Sequence, residues 1–485
     1  MIVTAAVAVI VWGALAFGAV YPWAFTPLLT GCAAVGLWGI MAPAPASLGR
    51  PARAAIMALI CVMAAGLLQL VPLPPGVLRT VSPATDAFLQ NYDLTYALAS
   101  SGGGQAVAPD GLPLTPVWHP FSLAPRSTRL GLAIAAALTL LLAGLSRSLS
   151  VTGVRRLAAL IVTFGVVLGL IGIVQKTVLG DHAYAGMKIY GIWSPANLLS
   201  TPFGPFINKN HFAGWMLMVI PLALGLAMGK AETGMRHVHG SWRARLLWLS
   251  SPAGGRVQLI ILAVLVMGAS VLMTKSRSGM LCLGISMILV SIVARRRFGS
   301  ARAGWAALGS LAVMFATLFF MAGSDVATRM ADRGEAMNLR QDIWADSLAV
   351  VRSFPLTGTG LNTFGTAMIS YQTAKPPPHF QEAHNDYLQV LVEGGLLMAL
   401  PALLAIGLAV RAIRSRFGAR ADDGETYWIR AGAVIGLIAI ALQAGVEFSL
   451  QMPGNAALFV VLLAIAIHEP PPARTRPVSR GEEPA

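Results

Sequence analysis

The sequence predicts an all-α, polytopic membrane protein of about twelve transmembrane helices with a large helical loop on its outer side, and three observations carry that prediction. Of 485 residues, 56% are apolar and only 11% charged, where soluble domains carry about 25% charged residues. Apolar runs recur at lengths near the roughly 20 residues that cross about 30 Å of hydrocarbon. The runs are continuous and Gly-rich rather than alternating, which excludes a closed barrel and suits closely packed helices.

Taken in order, the runs lie near residues 2–20, 24–42, 54–71, 128–146, 154–175, 211–229, 257–274, 279–294, 304–322, 387–410, 431–449 and 454–468. No Lys or Arg precedes the first and a second follows within a few residues, so it reads as a retained signal anchor and not a cleaved signal peptide. With the N-terminus inside, the cytoplasmic segments hold 22 of the 35 Lys and Arg residues, including Arg50, Arg53, Arg155, Arg156 and the run Arg295, Arg296, Arg297. The inverse topology places that run outside, against the positive-inside rule. The chain then divides into N-terminal membrane helices (1–71), an outward loop (72–127), membrane helices with short loops (128–322), a second outward loop of catalytic character (323–386), C-terminal membrane helices (387–468) and a disordered cytoplasmic tail rich in Pro and Arg (469–485). Segment 176–210 also faces outward. The first outward loop, with Pro72, Pro74, Pro75 and the glycines 102–104, reads as an irregular cap with one short helix.

Cys32, Cys61 and Cys282 all lie inside apolar runs, so they outline neither a disulfide framework nor a metal motif. No internal repeat or inverted duplication stands out.

Polar groups at membrane depth are costly, so their positions are informative. Four clusters lie on or near the outward side. Lys275, Ser276, Arg277 and Ser278 form a tight turn between two runs; Arg277 is either a snorkelling interfacial cation or a guanidinium fork for a phosphate. A helix over 337–354 ends before Pro355. In it Arg340, Trp344, Leu348 and Val351 share one face, which is assigned to the protein side, with Arg333 on the same side. Arg340 is there either paired with Asp342 or Asp346, or a second ligand for an anionic substrate. Gly358, Thr359 and Gly360 follow as a turn whose amides could meet an anion.

The third cluster is Glu382 to Tyr387. Asn385 and Asp386 are natural helix caps, while His384 is the side chain best matched to proton transfer near neutral pH. Asp386, Gln389 and Glu393 make a polar stripe, echoed by Gln443, Glu447 and Gln451, either as interhelical glue or as partners for arginines. The fourth cluster is Asn208, Lys209, Asn210 and His211 before a span. Asn208 suits a cap, and the two Asn flanking Lys209 suit sugar hydroxyls and a phosphate. No D-x-D or His/Cys grouping for a metal lies among them, so no metal or other cofactor is expected; the combination suits a lipid-linked diphosphate leaving group stabilised by arginine.

These residues resemble the O-antigen ligase and polymerase superfamily of bacterial envelope glycosyltransferases. The resemblance covers roughly 200–410 and rests on Asn208 to Gly214, the Ser276-Arg277-Ser278 turn, Leu339 to Trp344 leading to Pro355 through Gly360, and His384 to Gln389. It implies a metal-independent, inverting transfer of a glycan from undecaprenyl diphosphate, at the periplasmic face of a bacterial inner membrane, to lipid A core (a ligase) or to another lipid-linked repeat unit (a polymerase). Carried over, Arg277 and Arg340 bind the diphosphate and His384 acts as base on the acceptor hydroxyl or orients it. The substrate-binding set is then Asn208, Lys209, Asn210, Lys275, Asn385 and Asp386. Lys209 stands where many members carry Arg, which keeps the charge and loses the fork.

The rival class is a lipid or solute transporter or flippase, which predicts polar groups at mid-bilayer and a repeat; a membrane acyltransferase does not require several outward cations. The net charge of +15 resides entirely in the cytoplasmic segments, so it indicates membrane orientation and no nucleic acid.

Overall fold

The computed structural model describes the whole chain except residues 44–47, 102–116, 180–187, 196–199, 237, 239–241, 299–333, 374–378, 418–423 and 470–485. The expected span 304–322, Arg333, glycines 102–104 and the tail after Glu469 therefore lie outside the described residues. Among the described residues there are 17 α-helices and no strand. In chain order they are α1 (Ile2–Leu15), α2 (Pro22–Met41), α3 (Arg50–Leu68), α4 (Pro75–Val81), α5 (Pro83–Tyr92), α6 (Leu94–Ser101), α7 (Pro125–Ser148), α8 (Val151–Leu179), α9 (Lys209–Met235), α10 (Trp242–Leu249), α11 (Pro252–Met273), α12 (Arg277–Phe298), α13 (Gly334–Ser353), α14 (Phe364–Tyr371), α15 (Asp386–Phe417), α16 (Gly424–Gln443) and α17 (Pro453–Ile467). Nine of them are long and apolar enough to cross a membrane, while α1 and α17 are apolar but shorter.

The bundle is built around α9. Its apolar residues run round all sides of the helix, and 94% of its membrane window is buried, which marks an interior helix. It packs most closely on α16, where Gly432 and Gly436 bring the backbones together; a Cβ at Gly432 would lie 2.4 Å from the Pro221 carbonyl oxygen, and one at Gly436 2.6 Å from that of Met218. Close approach through small residues replaces the hydrophobic drive that lipid removes.

The first outward loop departs from the expected irregular cap, because α4, α5 and α6 are three short helices. Pro75 and Pro83 each occupy a first helical turn, where the missing N–H costs nothing. The buried carboxylate of Asp86 ties them together, accepting from Tyr96 Oη at 2.7 Å and from Arg79 Nε at 3.2 Å. Burial and that neighbouring carboxylate push the Tyr96 phenol above its ordinary value.

The cap over the bundle is α13 and α14. Ile343, Val350 and Phe354 pack with Phe364, Met368, Phe380 and Val392. This buried stripe is rotated from the expected one: Leu348 is 46% exposed, because the helix rests on the cap core through Ile343 and Val350. Arg340 sits at the stripe's edge, with its side chain 20% exposed.

α15 is broken. Gly395 has φ 51° and ψ −159°, a region open essentially to glycine alone. The backbone groups freed by the break need partners, and the loop after α13 supplies them. Leu396 and Leu397 donate to the carbonyls of Pro355 and Leu356 at 2.9 Å, while the amides of Thr359 and Gly360 donate to those of Val392 and Glu393 at 3.0 and 2.9 Å. Gln69, the C-cap of α3, clasps both sides, donating to the carbonyls of Thr357 and Glu393 and accepting from the Leu361 amide. The Gly358-Thr359-Gly360 amides are thus consumed by the fold, and the expected anion-facing turn is corrected. Glu393 accepts from the amides of Asn362 and Phe364, capping the start of α14.

A Cβ on Gly395 would lie 2.5 Å from the Gly358 nitrogen, and one on Gly358 2.3 Å from the Glu393 oxygen. Gly395→Ala or Gly358→Ala is therefore expected to cut the yield of monodisperse protein several-fold, from the clash and about 1–3 kcal/mol of backbone strain. Gly407→Ala, in the same helix with nothing near its Cβ position, should leave yield and melting temperature unchanged.

Candidate functional site

Three helices begin at the end of the bundle under the cap. α9 starts at Lys209, where Asn208 Oδ1 accepts from the Asn210 amide at 2.8 Å. α12 starts at Arg277, after Lys275 in a left-handed conformation (φ 53°) and with Ser276 Oγ accepting from the Gly279 amide. α15 starts at Asp386, where Asn385 Oδ1 accepts from the Leu388 amide at 3.0 Å. Their positive dipole ends add to the charge of Lys209, Lys275 and Arg277 on one side of the molecule.

The connection between α16 and α17 closes the site. α16 ends at Gln443, six residues before the end of the expected span, so Glu447 lies in a non-helical link with Phe448 and the short 3-10 turn Ser449–Gln451. Asp386 holds this link: its amide donates to the Ala444 carbonyl at 2.8 Å and its carboxylate accepts from Gln451 Nε2 at 3.0 Å. Gln389 joins Gln451 to the Ala383 amide, and Trp344 of α13 donates to the Ala383 carbonyl.

Glu447, 1% exposed, is the hub. Its carboxylate accepts from the Arg340 guanidinium and from Asn210 Nδ2 at 2.8 Å, and its second oxygen is 3.6 Å from His384 Nδ1. Burial alone raises the Glu447 pKa, but the contact with His384 and the charges of Arg340, His384 and His211 outweigh it and hold the carboxyl below its ordinary value. The rings of His384 and His211 each meet Phe448 edge to face, with centroids 4.7 and 4.6 Å away. His384 has φ 49°, an uncommon backbone state of the kind that gathers at functional sites.

The structure thus brings Asn210, Arg340 and His384 together on one carboxylate. Asn208, Asn385 and Asp386 act on helix starts and the link, one step behind that cluster. Arg277 is exposed at the head of α12, and its neighbour Ser278 lies 3.5 Å from Gln443 Nε2, which also donates to the Asn210 carbonyl. Lys209 anchors its turn by donating its amide to the Thr201 carbonyl.

The structure selects among the partners that the sequence left open for Arg340. Asp342 is exposed, and Asp346 is engaged by the amide and hydroxyl of Thr373; the counter-charge comes from Glu447, 107 residues away. Glu447 and His211 were absent from the expected site set. The available signal was an acid within an apolar stretch, paired by cost alone with an arginine that lacked a fitting local partner. Among the described residues no group of three or more His, Cys, Asp or Glu is placed to hold a metal ion.

Removing the Glu447 charge leaves Arg340 half-buried beside a neutral amide. Glu447→Gln is expected to destabilise the protein by about 3 kcal/mol, read as a lower melting temperature in detergent micelles, and less in an Arg340→Met background. The sign with pH follows from the lowered pKa. The contribution of Glu447 is complete above about 4.3, the unfolded glutamate value, and is lost as pH falls through the lower folded value. Melting curves should therefore converge for wild type and variant in acid.

Residues 262–404 match the family described as O-Antigen ligase. The matched segment runs from α11 into α15 and contains Arg277, Arg340 and His384; Asn208 to His211 and Glu447 lie outside it. No curated protein matches the chain.

Proposed function

We propose that this chain, whose residues 262–404 match the family described as O-Antigen ligase, transfers a glycan from undecaprenyl diphosphate to a hydroxyl acceptor at the periplasmic face of a bacterial inner membrane. The observation that carries this reading is the cluster in which one buried carboxylate, Glu447, engages both Arg340 and His384 at the end of the bundle where α12 presents Arg277.

In this reading His384 takes the proton from the acceptor hydroxyl. Glu447, facing Nδ1 at 3.6 Å, steadies the imidazolium that forms, leaving the other ring nitrogen for the substrate; such contacts tighten when substrate binds. The acceptor oxygen attacks the anomeric carbon as the bond to the diphosphate breaks, which inverts that centre. Arg277 and the guanidinium donors of Arg340 not spent on Glu447 receive the charge on the departing phosphates, and Lys209 and Lys275 add to the positive field. Charge stabilisation rests on guanidinium groups and needs no metal.

The proposed orientation is supported by the opposite end of the bundle, where Arg155, Lys230, the run Arg295, Arg296, Arg297 and Arg416 gather. Placing that end in the cytoplasm satisfies the positive-inside rule and turns Glu447 to the periplasm. A flippase would use the break in α15 as a mid-membrane site. Here the freed groups of the break are bonded to the 355–360 loop and Gln69, which favours transfer over transport.

Arg277→Ala and His384→Ala are each expected to lower transfer by about 100-fold or more while the protein still inserts. Envelope glycan from a deletion strain complemented with each variant reads this out, and near-normal glycan in both would sink the assignment. In the deletion strain, lipid-linked polymer with bare lipid A core indicates a ligase, and single repeats on the core indicate a polymerase. Loss of secreted polysaccharide with intact lipopolysaccharide indicates an exopolysaccharide polymerase.

A further inference from the structure

Beneath the Glu447 cluster, four deeply buried side chains carry polar atoms whose hydrogen-bonding capacity no described residue uses. They are His211 Nε2, Gln443 Oε1, Ser449 Oγ and Asn455 Oδ1, on residues 4%, 0%, 0% and 0% exposed. All four gather around the first turn of α9. Gln443 Nε2 donates to the Asn210 carbonyl at 3.2 Å and Asn455 Nδ2 to the His211 carbonyl at 3.0 Å. A Cβ at Gly214 would lie 2.6 Å from Gln443 Oε1 and 2.9 Å from Ser449 Oγ, so both oxygens hang over that glycine.

The identity of the two amide oxygens is not arbitrary. A carbonyl needs a donor, so the nitrogen of each amide must face it and the oxygen must point away. The set therefore holds two groups that only accept and two, a hydroxyl and an imidazole nitrogen, that take either role. Unused acceptors in a bundle core are costly and call for a guest that donates.

We infer that His211, Gln443, Ser449 and Asn455 build an internal hydration site beneath the reaction centre, whose ligand is water. A phosphate or carboxylate only accepts and does not fit two amide oxygens. An alkali cation finds no carboxylate among the four, and Glu447 gives one oxygen to Arg340 and Asn210 while the other faces His384 Nδ1 at 3.6 Å. A sugar hydroxyl would need an open path that residues so deeply buried do not offer. Water meets the requirement of two to four polar partners in a small polar space. Held there, it braces the link that carries Glu447 and Phe448, and through His211 the ring of Phe448 against which His384 rests. That consequence rests on the reading of His384 as the base; the hydration site itself does not.

Ser449→Ala separates the possibilities, because it deletes a hydroxyl with no hydrogen-bond partner among the described residues. An unmet buried hydroxyl is a burden, so with no guest its removal leaves the melting temperature unchanged or higher. With bound water its removal lowers the melting temperature, by about 2 °C or more. The full chain in lipid nanodiscs is also imaged by high-resolution cryo-electron microscopy in sodium-free choline buffer, where density bridging Gln443 Oε1 and Asn455 Oδ1 is expected. An unchanged or higher melting temperature, or missing density, overturns the inference. Density present only when sodium is restored assigns the site to a cation and also overturns it. None of these readouts depends on glycan transfer, so failure of that reading would be seen separately as full activity of the His384→Ala variant.

Discussion

A carboxylate sealed from water at the end of a membrane bundle has to find its donors in the protein. Glu447 draws two of them from remote parts of the chain, Arg340 from the cap and Asn210 from the first turn of the central helix, and its second oxygen faces His384, on the approach to α15, at 3.6 Å. Each partner is thereby fixed relative to the others. The cap cannot slide on the bundle without exposing an unpaired charge, and the charge cannot move without releasing the cap. The same group that holds the architecture together also sets the spacing between an imidazole and a guanidinium.

A second constraint acts on the backbone. In hydrocarbon every N–H and C=O must be satisfied from within, yet α15 is interrupted at Gly395. The interruption persists because the 355–360 loop inserts its own amides and carbonyls at the break and Gln69 bridges the two. What looks on the chain like a glycine-rich anion turn is a joint that locks the cap to a membrane helix. Glu393 continues the joint by capping α14. Arg340 and His384 are held from both sides of this joint, since α13 precedes the loop and α15 follows it.

Charge is sorted along the bundle axis. At the end away from Glu447, Arg297 pairs with Glu232 at 2.9 Å and lies 4.6 Å over the Tyr427 ring, Lys230 pairs with Glu425 at 3.2 Å, and Arg416 with Glu469 at 2.9 Å. Among the described residues, acids there neutralise only part of the positive charge. At the other end Lys209 and Arg277 open helices, Lys275 precedes one of them, and Arg340 sits on the buried carboxylate.

Much of this was legible in the sequence. Apolar run length determined the all-helical membrane architecture, because crossing hydrocarbon demands it. Asn210, Arg340 and His384 were identifiable as costly polar groups beside apolar runs, and they do meet in space. Which acid Arg340 meets was left open between Asp342, Asp346 and the stripe that holds Glu447: periodicity relates residues within one helix, whereas Glu447 approaches from another segment, in a link that the apolar pattern had extended as helix. Nor could the pattern distinguish a turn that binds an anion from one that mends a broken helix, since both need glycines and free amides. The order of residues alone marks the groups that a membrane does not tolerate without a partner. Which of them neutralise one another is settled by the fold, because it depends on distances between segments far apart along the chain.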